Sequence, residues 1–418
     1  MVAMQGEKII FLVDMNAFFI TCEMLRHREL VGKPAAVAGN PKTRTGIILA
    51  ANYEARAFGI KTAMTLNEAL KRCPKMLLVP PDHAYYEKTS EKVMEFLAGF
   101  SPIVEQNSID EAWLDMTGTQ GIFGSPLEAA EKIMNDLRET LGLWCSIGIS
   151  ENKFLAKMAS DMKKPLGITW LKKTDIEKML WPLPVGAMYG IGRKSTETLT
   201  RMGIRSIGDL ARTDSGKLQK KFGKAGLAMH MHSMGIDNDP LVPSVLDDIK
   251  SIGKSVTLPQ DLNDLAKAKV VLMKLADEVS TRARKRKKKG HTVQITIKYS
   301  DFTSITRQCS IPETDLSKRI YLAGIRLLEK NWDAKKPVRL VGISLTDFDS
   351  PARGMQLSIF NLGGEECPPS EEKDEKIQKA MDTIREKFGN DKVSWGTLLK
   401  TDAYNPENPK DKEEDFKK

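Results

Sequence analysis

Lys8-Ile9-Ile10-Phe11-Leu12-Val13-Asp14 is a short apolar run that ends on an acid. It reads as a buried strand that carries a carboxylate to its carboxyl end. Working outward, residues 17–30 have helical character and are broken at Gly32-Lys33-Pro34. Residues 35–38 and 46–50 read as two short strands, and 65–72 as a helix stopped before Pro74. A helix over 85–100 follows, then strands at 103–105 and 112–115 that bracket Gln106-Asn107-Ser108-Ile109-Asp110-Glu111. Within 125–141, Ala129, Ile133, Leu137 and Leu141 recur at four-residue spacing, the mark of an amphipathic helix. A strand at 144–149 and a helix at 153–162 complete the unit. The succession strand, insertion, helix, strand, strand, helix, strand predicts a split βαββαβ sheet with residues 16–82 inserted after the first strand.

Residues 172–240 read as small helices separated by glycines, among them Gly186, Gly190 and Gly192. Pro240 and Pro243 mark a linker at 241–250. Beyond it the βαββαβ succession recurs: strand 254–258, helix 262–285, strands 291–299 and 303–310, helix 315–331 and strand 338–348. The fold class expected is therefore α+β.

Composition narrows the function classes. Of 418 residues, 41% are hydrophobic and 28% charged, which excludes wholesale disorder and collagen-like or coiled-coil architectures. The apolar runs are too short for a membrane span, and residues 1–8 show no secretory signal. The five cysteines, Cys22, Cys73, Cys145, Cys309 and Cys367, are scattered without metal or disulfide spacing, so a reduced, cytoplasmic protein is expected. The formal charge of +9 is uneven. The octet Arg282-Ala283-Arg284-Lys285-Arg286-Lys287-Lys288-Lys289 carries seven positive charges, whereas residues 361–418 hold 15 acids and 11 bases. A basic body with an acidic, partly disordered tail favours a polyanionic partner.

Asp14 ends a strand, and Asp110-Glu111 lie at a bend of the same expected sheet. If the strands are neighbours, three acids converge, and like charges that resist one another invite divalent cations. Paired Mg²⁺ ions roughly 3.5–4 Å apart are the usual device for phosphoryl or nucleotidyl transfer. The plainer alternative is that Asp14 caps the helix that follows and that Asp110-Glu111 decorate a turn.

Val13-Asp14-Met15-Asn16-Ala17-Phe18-Phe19 and Ser108-Ile109-Asp110-Glu111-Ala112-Trp113-Leu114-Asp115 closely resemble the two metal-binding motifs of Y-family DNA polymerases, the lesion-bypass enzymes of the DinB and UmuC types. Asn52-Tyr53-Glu54-Ala55-Arg56-Ala57-Phe58-Gly59-Ile60 resembles the family's fingers motif, and Asn152-Lys153-Phe154-Leu155-Ala156-Lys157 with Asp161-Met162-Lys163-Lys164-Pro165 its palm helix. The resemblance implies a right-hand polymerase: ferredoxin-like palm (1–15 and 83–171), small fingers (16–82), helical thumb with a helix-hairpin-helix (172–240) and a βαββαβ little finger (251–355). It implies two Mg²⁺ held by Asp14, Asp110, Glu111 and the Met15 carbonyl. Phe18, Phe19, Tyr53, Arg56 and Lys164 align with nucleotide-binding positions, Phe19 as the ring that excludes a ribose 2′-hydroxyl. Family members often carry a hydroxyl two positions before the fingers Asn; here that position is Ala50.

Tyr189-Gly190-Ile191-Gly192-Arg193-Lys194 resembles the glycine hairpin of helix-hairpin-helix motifs, where backbone N–H groups meet phosphate. Gln356-Leu357-Ser358-Ile359-Phe360 resembles the pentapeptide by which bacterial polymerases dock on the sliding clamp. Expected partners are thus primer-template DNA, a deoxynucleoside triphosphate and a clamp, with the protein a monomer and the octet from Arg282 to Lys289 on the DNA backbone. The activity implied is low-fidelity, template-directed synthesis past damaged bases, without proofreading. The alternatives are a catalytically silent clamp- and DNA-binding adaptor of the same fold, and a metal-dependent nuclease.

Overall fold

A computed structural model describes residues 8–40, 46–243, 249–348, 371–389 and 392–396. The pentapeptide 356–360 and linker residues 244–248 lie outside the described residues. The chain divides into two compact units, one of residues 1–39 and 47–245, the other of 40–46 and 246–418.

In the first unit β1 (Ile10–Met15) is buried along its whole length. The strands that follow are β2 (Ala35–Ala38), β3 (Ile48–Ala51), β4 (Leu77–Val79), β5 (Val104–Gln106), β6 (Glu111–Asp115), β7 (Cys145–Ser150) and β8 (Ile168–Trp170). They form a five-stranded sheet of order β5-β6-β1-β7-β8 and a three-stranded sheet of order β3-β2-β4. The short strands β4 and β8 were not expected; three residues are too few to show alternation. β1 runs antiparallel to both β6 and β7.

Alternation along β1 sorts its side chains onto two faces. Phe11, Val13 and Met15 join Tyr86, Leu97, Ile133 and Leu137 in the main core, where helices His83–Ala98 and Pro126–Leu141 cover the sheet. Ile10 and Leu12 instead meet Trp113 and Ala156 of helix Lys153–Met162 on the opposite face. Asp14 shares that second face. The helix lies close because β7 presents Gly148: a Cβ there would stand 2.0 Å from the Ala156 carbonyl oxygen and 2.4 Å from the Ser160 nitrogen. The same helix sends Phe154, Leu155 and Met158 into the core of the helical segment, with Leu199, Ile207, Leu210 and Leu218.

The second unit holds β9 (Ser251–Leu262), β10 (Gly290–Tyr299), β11 (Ser304–Thr314) and β12 (Val338–Thr346) in the order β11-β10-β12-β9. Helices Leu265–Lys285 and Ser317–Asn331 pack on the sheet through Leu272, Leu275, Val279, Ile320 and Leu328. The βαββαβ succession matches the first unit, but the strand order does not: β9 is an edge strand, whereas β1 is central. Expected strands that ended before Pro259 and Pro312 continue through both prolines. β9 and β11 are the two edges, where a missing N–H breaks no ladder.

The acidic tail contributes helix Glu371–Phe388 to this unit. Ile377, Met381, Ile384 and Phe388 recur at helical spacing, but the face they form is not the docked one, for only Met381 is buried while the other three are exposed. Arg385 and Gln378 turn inward instead. Arg385 Nη2 donates to Asp277 Oδ2 at 2.7 Å, and Gln378 Oε1 accepts from the Ser317 hydroxyl at 2.8 Å. Trp395 Nε1 completes the Asp277 carboxylate at 3.1 Å. The inward face of the tail helix is thus the one that pairs a buried carboxylate on the neighbouring helix, an acid that is costly to leave unpaired.

Gly148→Ala is expected to destabilise the first unit by about 1–3 kcal/mol, since backbone rather than a flexible side chain must yield. Urea unfolding against wild type checks it; an unchanged midpoint contradicts the close helix–strand packing.

Candidate active site

β1 and β6 pair in a register that sets Asp14 directly opposite Glu111, and the Met15 N–H donates to the Asp110 carbonyl at 2.9 Å. Directly opposed residues of an antiparallel pair project from the same face. The convergence of acids expected from the sequence is therefore built into the register. Asp14 is not a helix cap: helix Phe18–Arg26 begins after Ala17, which stands at the N-cap without a side-chain capping bond.

Two lysines meet the acids. Lys157 Nζ lies 3.2 Å from Asp14 Oδ2, 2.8 Å from Glu111 Oε1 and 3.3 Å from Asp161 Oδ2. Lys164 Nζ lies 2.7 Å from Asp14 Oδ2 and 2.8 Å from Asp161 Oδ1. Asp110 Oδ1 accepts from the Ser108 hydroxyl at 2.6 Å, and Glu111 Oε2 from Asn107 at 2.8 Å. Among the described residues no three acidic, His or Cys side chains stand as a ready-made metal site. Burial pushes the Asp14 carboxyl up to about 6 against the pull of Lys164, with the neighbouring Glu111 adding to the rise. Burial also opposes the Lys157 charge, yet Asp14, Glu111 and Asp161 hold it above the usual lysine range.

Asp14, Met15, Phe18, Phe19, Tyr53, Arg56, Asp110, Glu111 and Lys164 all line one cavity of about 290 Å³. Tyr53 and Arg56 come from helix Tyr53–Ala57, fixed by buried Asn52. The Asn52 Oδ1 accepts from the Ala35 and Ala55 N–H groups at 3.0 Å, while its Nδ2 donates to the Lys33 carbonyl at 2.7 Å. Arg56 lies 4.8 Å over the Tyr53 ring, and its Nε donates to the Ala51 carbonyl at 2.9 Å. The Tyr53 hydroxyl is buried in this cavity without a hydrogen-bond partner among the described residues. Phe19 stacks on Tyr86 at 4.4 Å, and Tyr86 is anchored by its hydroxyl to Glu23 Oε1 at 2.7 Å. Phe18 is 3% exposed and belongs chiefly to the core. Ala50 lines the cavity without a hydroxyl, and Thr62 brings one to the same wall.

Sequence reading placed Lys157, Asp161 and Asn16 within its motifs but gave them no role at the site. The available signal for Lys157 was a lysine inside an otherwise apolar stretch, with Asp161 one turn on. Asn16 Oδ1 accepts from the Leu166 N–H at 2.9 Å, and its Nδ2 donates to Ser146 Oγ at 3.0 Å, tying β1 and β7 to the turn that carries Lys164.

Elsewhere in this unit, Gly190 has φ +86° and Gly192 precedes helix Arg193–Arg201 without a side-chain cap. A Cβ at either glycine would meet nothing within 4 Å, and the Arg193 and Lys194 side chains are exposed. In the second unit the basic octet is divided. Arg282, Lys285, Arg286 and Lys287 are exposed, but Arg284 is enclosed by the tail helix, its Nη2 2.9 Å from Asp382 Oδ1 and its Nη1 2.9 Å from the Asp315 carbonyl. Lys289 lies 3.8 Å from Glu375. The expectation that all seven charges face DNA is corrected for Arg284, whose guanidinium is committed within the protein.

Residues 13–161 match the impB/mucB/samB family, 249–359 that family's C-terminal domain, and 187–237 the thumb domain of DNA polymerase-iota. The chain is 56% identical over 394 residues to DNA polymerase IV of Clostridium kluyveri, an alignment spanning 94% of this chain and 98% of that protein. The chain belongs to the Y family of DNA polymerases. DNA polymerase IV of Alkaliphilus oremlandii is 53% identical, with 94% and 99% covered. A solved Y-family DNA polymerase chimera superposes with a TM-score of 0.73 at 26% identity, covering 82% of this chain and 99% of the chimera. With membership come a DNA-directed DNA polymerase activity, the lesion-bypass role and an α+β fold with a ferredoxin-like sheet. No helix of the described residues is long and apolar enough to cross a membrane.

Proposed function

We propose that this Y-family enzyme adds deoxynucleotides to a primer at the Asp14–Asp110–Glu111 cluster, using two Mg²⁺ ions. The carrying observation is that three carboxylates share one cavity with Arg56, Lys164 and the Tyr53 hydroxyl, which has no partner among the described residues. The donor set fits hard divalent cations, which prefer oxygen ligands. Asp14, Asp110, Glu111 and the Met15 carbonyl would hold the ions. When bound, the ions supply Lewis-acid activation of the primer hydroxyl and neutralise charge on the leaving pyrophosphate.

The chain's own groups then bind and orient. Tyr53 offers a hydroxyl donor, Arg56 a guanidinium steadied over the Tyr53 ring, and Lys164 an ammonium, all suited to triphosphate oxygens. Phe19, held flat against Tyr86, excludes a ribose 2′-hydroxyl. Gly190, Gly192, Arg193 and Lys194 grip backbone phosphate without reading sequence. Arg282, Lys285, Arg286 and Lys287 extend that grip in the little finger, with Lys288 and Lys289 at its margin. Gln356, Leu357, Ile359 and Phe360 dock the sliding clamp, with the enzyme acting as a cytoplasmic monomer at DNA. An adaptor would have no use for clustered acids, one of them buried, and a nuclease none for a triphosphate cradle.

In primer extension with Mg²⁺, Asp110→Ala is expected to lose roughly a thousandfold or more in rate, the several kcal/mol a metal contributes. Phe19→Ala is expected to keep extension and to accept ribonucleotides. Degradation of the primer by wild type points to a nuclease, and no reaction to an adaptor. Neutralising Arg282, Lys285, Arg286 and Lys287 together should weaken primer-template binding and reduce its salt slope by about 0.7–0.9 per lost phosphate contact. Arg284→Gln should leave that slope unaltered. Deleting residues 356–360 should abolish stimulation by the clamp while basal synthesis persists; retained stimulation rejects the docking assignment.

A further inference from the structure

We propose that Lys157 is a resident counter-ion of the carboxylate cluster. It holds Asp14 and Glu111 together before metal arrives, and it competes with metal for the same oxygens. This rests on the reading of Asp14, Asp110 and Glu111 as the metal site. Lys157 is a positioning residue here, with no contact to substrate assigned.

The placement is costly and specific. The Lys157 side chain is 8% exposed, on a helix otherwise buried through Phe154, Leu155, Ala156, Met158 and Ala159. An ammonium is stable there only because three carboxylates surround it, at 3.2 Å from Asp14, 2.8 Å from Glu111 and 3.3 Å from Asp161. The contact is fixed by backbone packing: Gly148 permits the helix to approach, and the β1–β6 register brings Asp14 and Glu111 under one side chain. Lys164 differs from it. That residue is 26% exposed, lines the cavity and, among the described residues, pairs with Asp14 and Asp161 but not Glu111. Lys157 is absent from the cavity wall and bridges the opposing strands.

A cation entering between Asp14 and Glu111 must displace the ammonium or accept its repulsion. Metal affinity of the protein alone is thereby held down, and the triphosphate oxygens are needed to complete the binding. Lysine at this position thus makes tight metal loading follow nucleotide arrival, while sparing the apo site the repulsion of its own acids.

The test is Mn²⁺ binding to the full chain without DNA or nucleotide, read from the free-ion EPR signal. Lys157→Met and Lys157→Gln, checked for folding by circular dichroism, are expected to bind Mn²⁺ roughly tenfold or more tightly than wild type, from removal of a unit charge a few ångströms away. The gain in Mn²⁺ affinity on adding a deoxynucleoside triphosphate should shrink in both variants. Folded variants with unaltered or weaker Mn²⁺ affinity overturn the proposal. Should neither variant fold, acylation of wild-type lysines with and without Mg²⁺ decides: Lys157 modification should rise several-fold with metal relative to Lys132, and no rise refutes the displacement. Asp110→Ala separates the two readings. If it binds Mn²⁺ like wild type, the metal-site assignment itself fails; if it loses Mn²⁺ while Lys157 variants match wild type, only the counter-ion role fails.

Discussion

Two carboxylates held face to face on adjacent strands repel, and much of the first unit is arranged around that repulsion. Unit charges about 4 Å apart at a protein surface interact by about 4 kcal/mol, a large fraction of a domain's net stability. Asp14 and Glu111 cannot separate, because the ladder that opposes them also builds the central strand. Relief has to come from cations, and helix Lys153–Met162 and the turn after it deliver two. Gly148 under that helix and Asn16 beneath the turn are structural residues whose purpose is visible only through the charges they place.

The second unit shows the same electrostatic logic applied to a surface. A run of seven cations along one segment resembles a single patch in one dimension. At the end of helix Leu265–Lys285 and in the turn that follows, its members point in different directions, and the acidic tail helix selects among them by position. Arg284 meets Asp382, and Arg385 returns the favour by pairing with buried Asp277. The outward cations remain for a polyanion. Net charge therefore measured the attraction to nucleic acid without saying which side chains exert it.

Legibility followed the range of the cause. Helix Pro126–Leu141 was plain because its apolar period is local, as is the Ser125–Glu128 capping box that the structure forms at its start. The edge strands β4 and β8 were invisible, since pairing with β2 and β7 creates them and three residues carry no pattern. Prolines at 259 and 312 misled, because whether a proline breaks a strand depends on whether the strand is an edge. Asp14, Asp110 and Glu111 stood out by their positions at strand ends, Tyr53, Arg56 and Lys164 through family resemblance, and the fold gathers all six in one cavity. Lys157 was passed over because a lysine is ordinarily a surface residue, and only tertiary packing buries this one.

By itself the sequence determined the βαββαβ succession of both units, the acids at the ends of β1 and β6, and the basic character of the body. These are properties of neighbours along the chain: alternation, helical period, turn chemistry and charge count. Tertiary structure decided the register that opposes Asp14 to Glu111, the different strand orders of the two sheets, the rotation of the tail helix and the identity of the counter-ions. Each of those depends on distances between residues far apart in the chain, where charge and close packing act through space.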